Sequence, residues 1–166
     1  MFRAGDVVAD HITPVTEEQI QPNGVDLTLA AVLEPRGAGY VGREGKTVAD
    51  RDRIEPDTPR GDGPPSFHLT PGSYVLQYAE TVTVPTEHIG LLFPRSTLLR
   101  NACTLDTAVW DPGYTGKGEG LLTVRNEIEI EAGARIGQFV LARAEAGGEY
   151  AGSYQRERTG SGGDSA

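Results

Sequence analysis

The chain is cut into short pieces by its turn formers. Apolar or alternating runs at residues 25–33, 74–78, 81–84, 89–93, 121–124 and 136–142 are separated by clusters of Gly, Pro, Asn and Asp, and runs this short between turn signals are strands rather than helices. That spacing predicts an all-β domain built as a barrel or sandwich. Helical pattern is confined to two single turns, one at residues 16–20 with Thr16 as its cap and one at 95–101 following Pro94. Residues 34–66 are polar and rich in Gly, Pro and charge, which reads as a surface excursion holding one hairpin around Gly42 to Lys46. From Ala146 onward the chain is too poor in aliphatic side chains to add to a core. It reads as a mobile tail. A length of 166 residues suits one core, so the expected organisation is a single β domain, barrel or sandwich, over residues 1–145 and a flexible arm at 146–166.

Charge narrows the choice of partner. With 24 acidic and 15 basic residues the net charge is -9, and a surface of that sign repels the backbones of nucleic acids and anionic membranes. A small ligand is expected, with no nucleic acid or membrane partner. An anion can still bind where Arg residues concentrate. The basic residues are Arg apart from Lys46 and Lys117, and the acid excess is one that a salt-rich cytosol tolerates. Cys103 is the only cysteine, so no intrachain disulfide can form, and the first residues lack a long apolar stretch for export or insertion. The expected location is cytoplasmic. One cysteine also excludes the zinc-dependent deaminases, which need a Pro-Cys-x-x-Cys pair. His11, His68 and His88 are scattered and read as surface or packing residues rather than metal ligands.

The chemistry is concentrated between residues 94 and 114, where PRSTLLR is followed by TAVWDPGY. Arg95 and Arg100 supply forked cationic donors, and Ser96 and Thr97 supply hydroxyls. A short helix starting near Ser96 would aim free backbone N–H groups at a phosphate and set Ser96 and Arg100 four residues apart on one face. Asp111 precedes Pro112-Gly113, a turn that fixes its carboxylate. Phosphate binding beside a water-activating acid is the reading these residues support.

Taken in order, QPNGVDLTL at 21–29, LTPGSYVLQYAETVTVP at 69–85, PRSTLLR at 94–100, TAVWDPGYTG at 107–116 and AGARIGQFV at 132–140 resemble the successive motifs of the dUTPase and dCTP deaminase superfamily. Within it, the archaeal-type dUTPase branch is the most similar. The resemblance implies a distorted barrel of the β-clip kind and a homotrimer with active sites at subunit interfaces. It also implies hydrolysis of dUTP to dUMP and pyrophosphate, with Mg²⁺ carried by the triphosphate rather than by a protein cage.

The same resemblance assigns roles residue by residue. Asp111 matches the acid that activates water for attack on the α-phosphorus. Arg95, Ser96, Thr97 and Arg100 match phosphate-binding positions, Thr97 standing where the family often has a second Ser. Gln138 matches a position near the phosphates, or else satisfies backbone groups at the start of a strand. Asp26 either orients groups around the metal-bound triphosphate or forms a structural ion pair with an Arg. Backbone groups of the segment holding Thr107, Ala108 and Val109 would read the uracil edge, and Tyr114 would pack on the deoxyribose, its alternative being a core-facing turn aromatic. In the family a C-terminal arm closes over bound nucleotide, which offers Tyr150, Tyr154, Gln155, Arg156 and Arg158 as lid residues.

One position separates the two activities of the superfamily. Its deaminases carry a proton-shuttling Glu on the strand after the turn, where alignment from Asp111 and Asn126 puts Thr123. A Thr cannot shuttle that proton, so dUTP hydrolysis is the expected reaction; the alternatives are deamination of dCTP, alone or combined with dUTP hydrolysis, and a non-enzymatic nucleotide-binding module on the same fold. Glu119 could take the role only with a displaced gap, and it reads as a solvated charge at a hairpin tip.

Overall fold

The computed structural model describes residues 1–58, 62–145 and 147–160. Its longer strands are β1 (Gly24–Arg36), β2 (Asp50–Ile54), β3 (Ser66–Leu69), β4 (Gly72–Tyr78), β5 (Thr81–Thr83), β6 (His88–Pro94), β7 (Cys103–Asp106), β8 (Glu119–Val124), β9 (Ile128–Glu131) and β10 (Arg135–Arg143). Two short helices accompany them, α1 (Gly5–Ala9) and α2 (Ser96–Arg100). All six runs expected as strands are strands.

The principal sheet runs β6-β10-β1-β4-β8-β7, with Ile20–Gln21 and β2 also paired to β1. Every pairing in it is antiparallel. Its two edges, β6 and β7, are consecutive in the chain and joined only by residues 95–102, most of which form α2. Edges tied by so short a link must lie close, and the sheet therefore curls into a nearly closed barrel, the arrangement that leaves least unpaired edge. A three-stranded sheet of Ile12–Thr13, β5 and Thr115–Gly116 and the β3/β9 ladder cover its ends.

The core follows from the alternation of each strand. Leu76, Leu122, Phe139, Leu141 and Tyr78 are fully enclosed, and β1 is buried on both faces from Gly24 to Leu27. Each such side chain contributes roughly 1.5–3 kcal/mol by leaving water. The single turn at Glu17–Gln19 forms as expected, with the Thr16 N–H and hydroxyl both donating to Gln19 Oε1. Within the excursion, Tyr40–Val41 pairs with Lys46–Thr47 around the expected turn. The excursion also contains β2, which pairs along β1 from Val32 to Arg36. Its DRDRI sequence is too charged to register as a strand on hydrophobicity alone.

One buried carboxylate ties the start of β1 to the β4–β5 turn. Glu80 is 3% exposed. Its Oε1 accepts from Gln19 Nε2 at 2.8 Å and from the Thr28 hydroxyl at 2.6 Å, and its Oε2 accepts from the Thr28 N–H at 3.0 Å. Gln19 Nε2 donates also to the Asp26 carbonyl. Truncation by Glu80→Ala would leave those donors buried without acceptors, so urea unfolding is expected to register a loss of about 2–4 kcal/mol; a change within experimental error would mean that water replaces the carboxylate.

Candidate active site

Three neighbouring strands assemble the first group of site residues. The register pairs Gln138 of β10 with Asp26 of β1 on one side and with Phe93 of β6 on the other. Arg95 follows directly from β6, held by its N–H to the Ile136 carbonyl. Asp26 is buried at 2%, and its Oδ2 lies 3.5 Å from Arg95 Nε and 3.6 Å from Arg135 Nη1. That oxygen makes no hydrogen bond among the described residues. Burial pushes the Asp26 carboxyl above its ordinary value, and the Arg95 and Arg135 guanidiniums pull it partway back. Ser96, Thr97 and Arg100 are exposed on α2, which begins at Ser96 as expected. Two half-exposed guanidiniums and two hydroxyls thus border one face, with Asp26 as shared counterion.

The second group surrounds the turn at residues 111–114. Two backbone bonds between Gly90 and Trp110 and two between Val84 and the turn residues Gly113 and Tyr114 pin this segment to the barrel. Trp110 packs against Tyr78, Tyr114 and Phe139 with centroid distances of 6.2, 5.3 and 5.1 Å. Gly118, at φ 30°, lies against this indole; a Cβ there would stand 2.2 Å from a ring carbon. Beside it opens a cavity of about 600 Å³ walled by Ala108 to Asp111, Tyr114, Gln77 and Glu119, a volume suited to a small ligand. Asp111 is exposed at its mouth, its carboxylate without an ion pair or hydrogen bond among the described residues. Ala108 and Val109 line the wall, and Thr107 lies just beyond it.

Tyr114 is 6% exposed and takes the core-facing alternative, while its ring still borders the cavity. Its hydroxyl donates to Glu157 Oε1 at 2.6 Å and accepts from the Gly118 N–H at 3.0 Å. Burial pushes this phenol well above its ordinary value, and the adjoining Glu157 carboxyl is raised for the same reason.

Residues 150–158 of the arm lie across this cavity. The Tyr150 N–H donates to the Pro112 carbonyl, and the Arg156 N–H to the Thr115 carbonyl. The Gln155 carboxamide accepts from the Thr115 N–H and donates to the Gly113 carbonyl, both at 2.8 Å. Arg158 donates to the carbonyls of Lys117 and Gly118. Tyr150, Tyr154, Gln155 and Arg158 all line the cavity.

Three residues emerge that the sequence did not flag. Arg135 shares Asp26 with Arg95, and Arg51 of β2 reaches the cavity, where it pairs with Glu119 at 2.5 Å. Gln77 Nε2 donates to the other Glu119 oxygen at 2.8 Å. Glu119 is therefore no solvated hairpin charge: it opens β8, is 25% exposed, and is held on both oxygens, because its register partner on β4 is Gln77. The alternation of charge in DRDRI was the available signal for Arg51. Thr123 sits on β8 between Ser73 and Thr104, away from the cavity lining. Arg95, Ser96, Thr97, Arg100, Gln138 and Asp26 are likewise absent from that lining.

Residues 3–144 match the family described as dCTP deaminase-like. The chain is 51% identical over 159 residues to the probable deoxyuridine 5'-triphosphate nucleotidohydrolase of Halobacterium salinarum, covering 96% of both. It is 43% identical over 142 residues to the protein of the same name from Aeropyrum pernix, covering 83% of this chain and 86% of that one. In fold it resembles the crystal structure of 2'-deoxycytidine 5'-triphosphate deaminase from Agrobacterium tumefaciens, with a TM-score of 0.66 at 16% identity. The likeness covers 87% of this chain and 49% of that one, so the chain spans about half the length of that structure.

The Asp26 arrangement has a measurable consequence. A carboxyl held above its ordinary value favours folding only while protonated, so its ionisation removes stability as pH rises through the folded value. Arg135→Met takes away one of the two opposing cations. The Asp26 midpoint, followed by NMR of its carboxyl carbon, is expected to move further up; a downward move or no move would show that Arg135 does not share the charge.

Proposed function

The chain belongs to the dCTP deaminase-like family, and from that membership we propose that it is a dUTP diphosphatase, hydrolysing dUTP to dUMP and pyrophosphate. The observation that carries this reading is Asp111, an exposed carboxylate without an ion pair or hydrogen bond among the described residues, in the lining of a cavity sized for a nucleoside. The high identity to chains named as deoxyuridine triphosphate hydrolases supports the choice of substrate.

In the proposed reaction Asp111 accepts a proton from a water as its oxygen bonds to the α-phosphorus, and the bond from that phosphorus to the bridging oxygen breaks. The electron pair leaves with pyrophosphate. Arg95, Arg100, Ser96 and Thr97 hold the phosphate oxygens on which charge gathers, and Gln138 adds a donor from β10. The backbone of Thr107, Ala108 and Val109 reads the uracil edge. Tyr114 backs the deoxyribose from the core, and Tyr154 and Gln155 close over the nucleotide from the arm. Asp26 keeps Arg95 aimed.

Magnesium is part of this reading: carried in with the triphosphate that Arg95, Arg100, Ser96 and Thr97 hold, it would supply charge neutralisation for the leaving group. Among the described residues no group of three or more His, Cys, Asp or Glu could hold a metal. The deaminase alternative is less well supported. It would require Glu119 to give up Arg51 and Gln77 before it could move a proton, and Thr123 offers no carboxylate.

The separation of the Arg-Ser group from the Asp111 cavity supports a shared site. Such partial sites become complete when one copy sets its α2 face against the cavity of another, and a closed homotrimer does so three times with one interface. No described helix is long and apolar enough to cross a membrane, and the proposed setting is the cytoplasm.

Chromatography of the products from dUTP and from dCTP with Mg²⁺ tests the activity: dUMP and pyrophosphate from dUTP alone are expected, and dUTP appearing from dCTP would favour the alternative. Asp111→Asn is expected to lower kcat by about 10²–10⁴, and normal turnover would remove Asp111 from the mechanism. Mixing inactive Asp111→Asn chains with inactive Arg95→Ala chains, unfolded and refolded together, is expected to restore about a quarter of wild-type activity if sites are shared. No recovery would place each site within one chain.

A further inference from the structure

The excursion of residues 34–66 carries no motif, yet it meets the proposed site twice. Val48 and Arg51 reach the cavity wall. Lys46, in the short hairpin with Tyr40–Val41, reaches the arm instead: its Nζ donates to Ser153 Oγ at 3.0 Å and stands 4.3 Å from the centroid of the Tyr154 ring.

We propose that Lys46 is a positioning residue for nucleotide binding, a clasp by which the excursion holds the C-terminal arm across the cavity. The arm has two anchorages. On the barrel side it is bonded through Gln155, Arg156, Glu157 and Arg158 to residues 113–118. On the excursion side the two contacts of Lys46 fix Ser153 and Tyr154, between the bond of Tyr150 to Pro112 and the bonds made by Gln155 to Arg158.

The chemistry suits a lysine. An ammonium is a point charge with three donors on a flexible stem, so one group can serve a hydroxyl and the face of an aromatic ring together. The base of the clasp is firm because β2 is paired along β1 and Arg51 is locked to Glu119, itself held by Gln77. Glu119 also faces Arg158 electrostatically, so excursion, barrel and arm share one chain of alternating charge. Lys46 touches neither the Arg-Ser group nor Asp111, and its loss acts through the arm. Opening the arm withdraws Tyr154 and Gln155 from bound nucleotide and leaves Asp111 in place. The effect falls on KM rather than kcat.

The inference rests on the reading of this cavity as the nucleotide site, and two readouts keep them apart. The first is amide hydrogen exchange in the ligand-free protein at Arg156 and Lys117, whose N–H groups bridge arm and barrel. The second is steady-state hydrolysis of dUTP. Lys46→Met, which keeps the stem and removes the charge, is expected to speed exchange at both amides several-fold and to raise KM several-fold with kcat within about twofold. Lys46→Arg retains a cation and is expected to recover most of the protection. Wild-type exchange and wild-type KM in Lys46→Met would overturn the clasp. If the wild-type chain fails to hydrolyse dUTP, the nucleotide reading falls, while the exchange comparison still decides whether Lys46 holds the arm.

Discussion

The charge of Asp26 lies in a stretch of β1 that is buried without interruption from Gly24 to Leu27. Water cannot reach it, so its solvation must come from the protein. Arg95 and Arg135 supply it from the end of β6 and the beginning of β10, each close enough to attract and too far to hydrogen-bond. This incomplete pairing links fold to chemistry. Each guanidinium is drawn inward by the carboxylate and remains about one-third exposed, so cations can be presented to a ligand without being left to wander. The register of β1, β10 and β6 sets the distances, and the register is in turn fixed by the core side chains that alternate with these polar ones.

The anionic surface and the anionic ligand are reconciled by the same placement. A net charge of -9 disfavours binding anywhere at random, whereas Arg95 and Arg135 are brought together by their shared carboxylate, Asp26. The cavity beside Asp111 is of mixed sign, Arg51 and Arg158 standing among Glu119, Glu157 and Asp111. That suits the neutral part of a nucleotide better than its triphosphate.

Much of this was legible in the order of residues. The strands that build the principal sheet announce themselves by alternation and by the turns between them, and α2 by Pro94 and the residues after it. The segments that escaped notice did so for physical reasons. β2 is stabilised by its partner β1 and not by its own hydrophobicity, and α1 is too short for any period to show. Asp111, Arg95 and Tyr114 could be named from local motifs. The partnership of Arg51 with Glu119 could not, since it depends on β2 and β8 bringing together two residues 68 apart in the chain. Glu119 was misread for the same reason: a hairpin tip looks solvated until the strand opposite it is known. The arm was compositionally a tail, and its bonds to residues 113–118 are mostly to backbone, which no side-chain pattern advertises.

Trp110 is the only tryptophan in the chain, and it is wedged among three other rings in the wall of the cavity, with Gly118 pressed against its far edge. The protein thus carries its single indole at the place where a ligand would arrive and where the arm lies. Its emission can have no other indole source, so a shift in colour or intensity on mixing would be a local signal, free of the averaging that blurs such measurements in most enzymes. The packing that makes the cavity rigid also makes it visible.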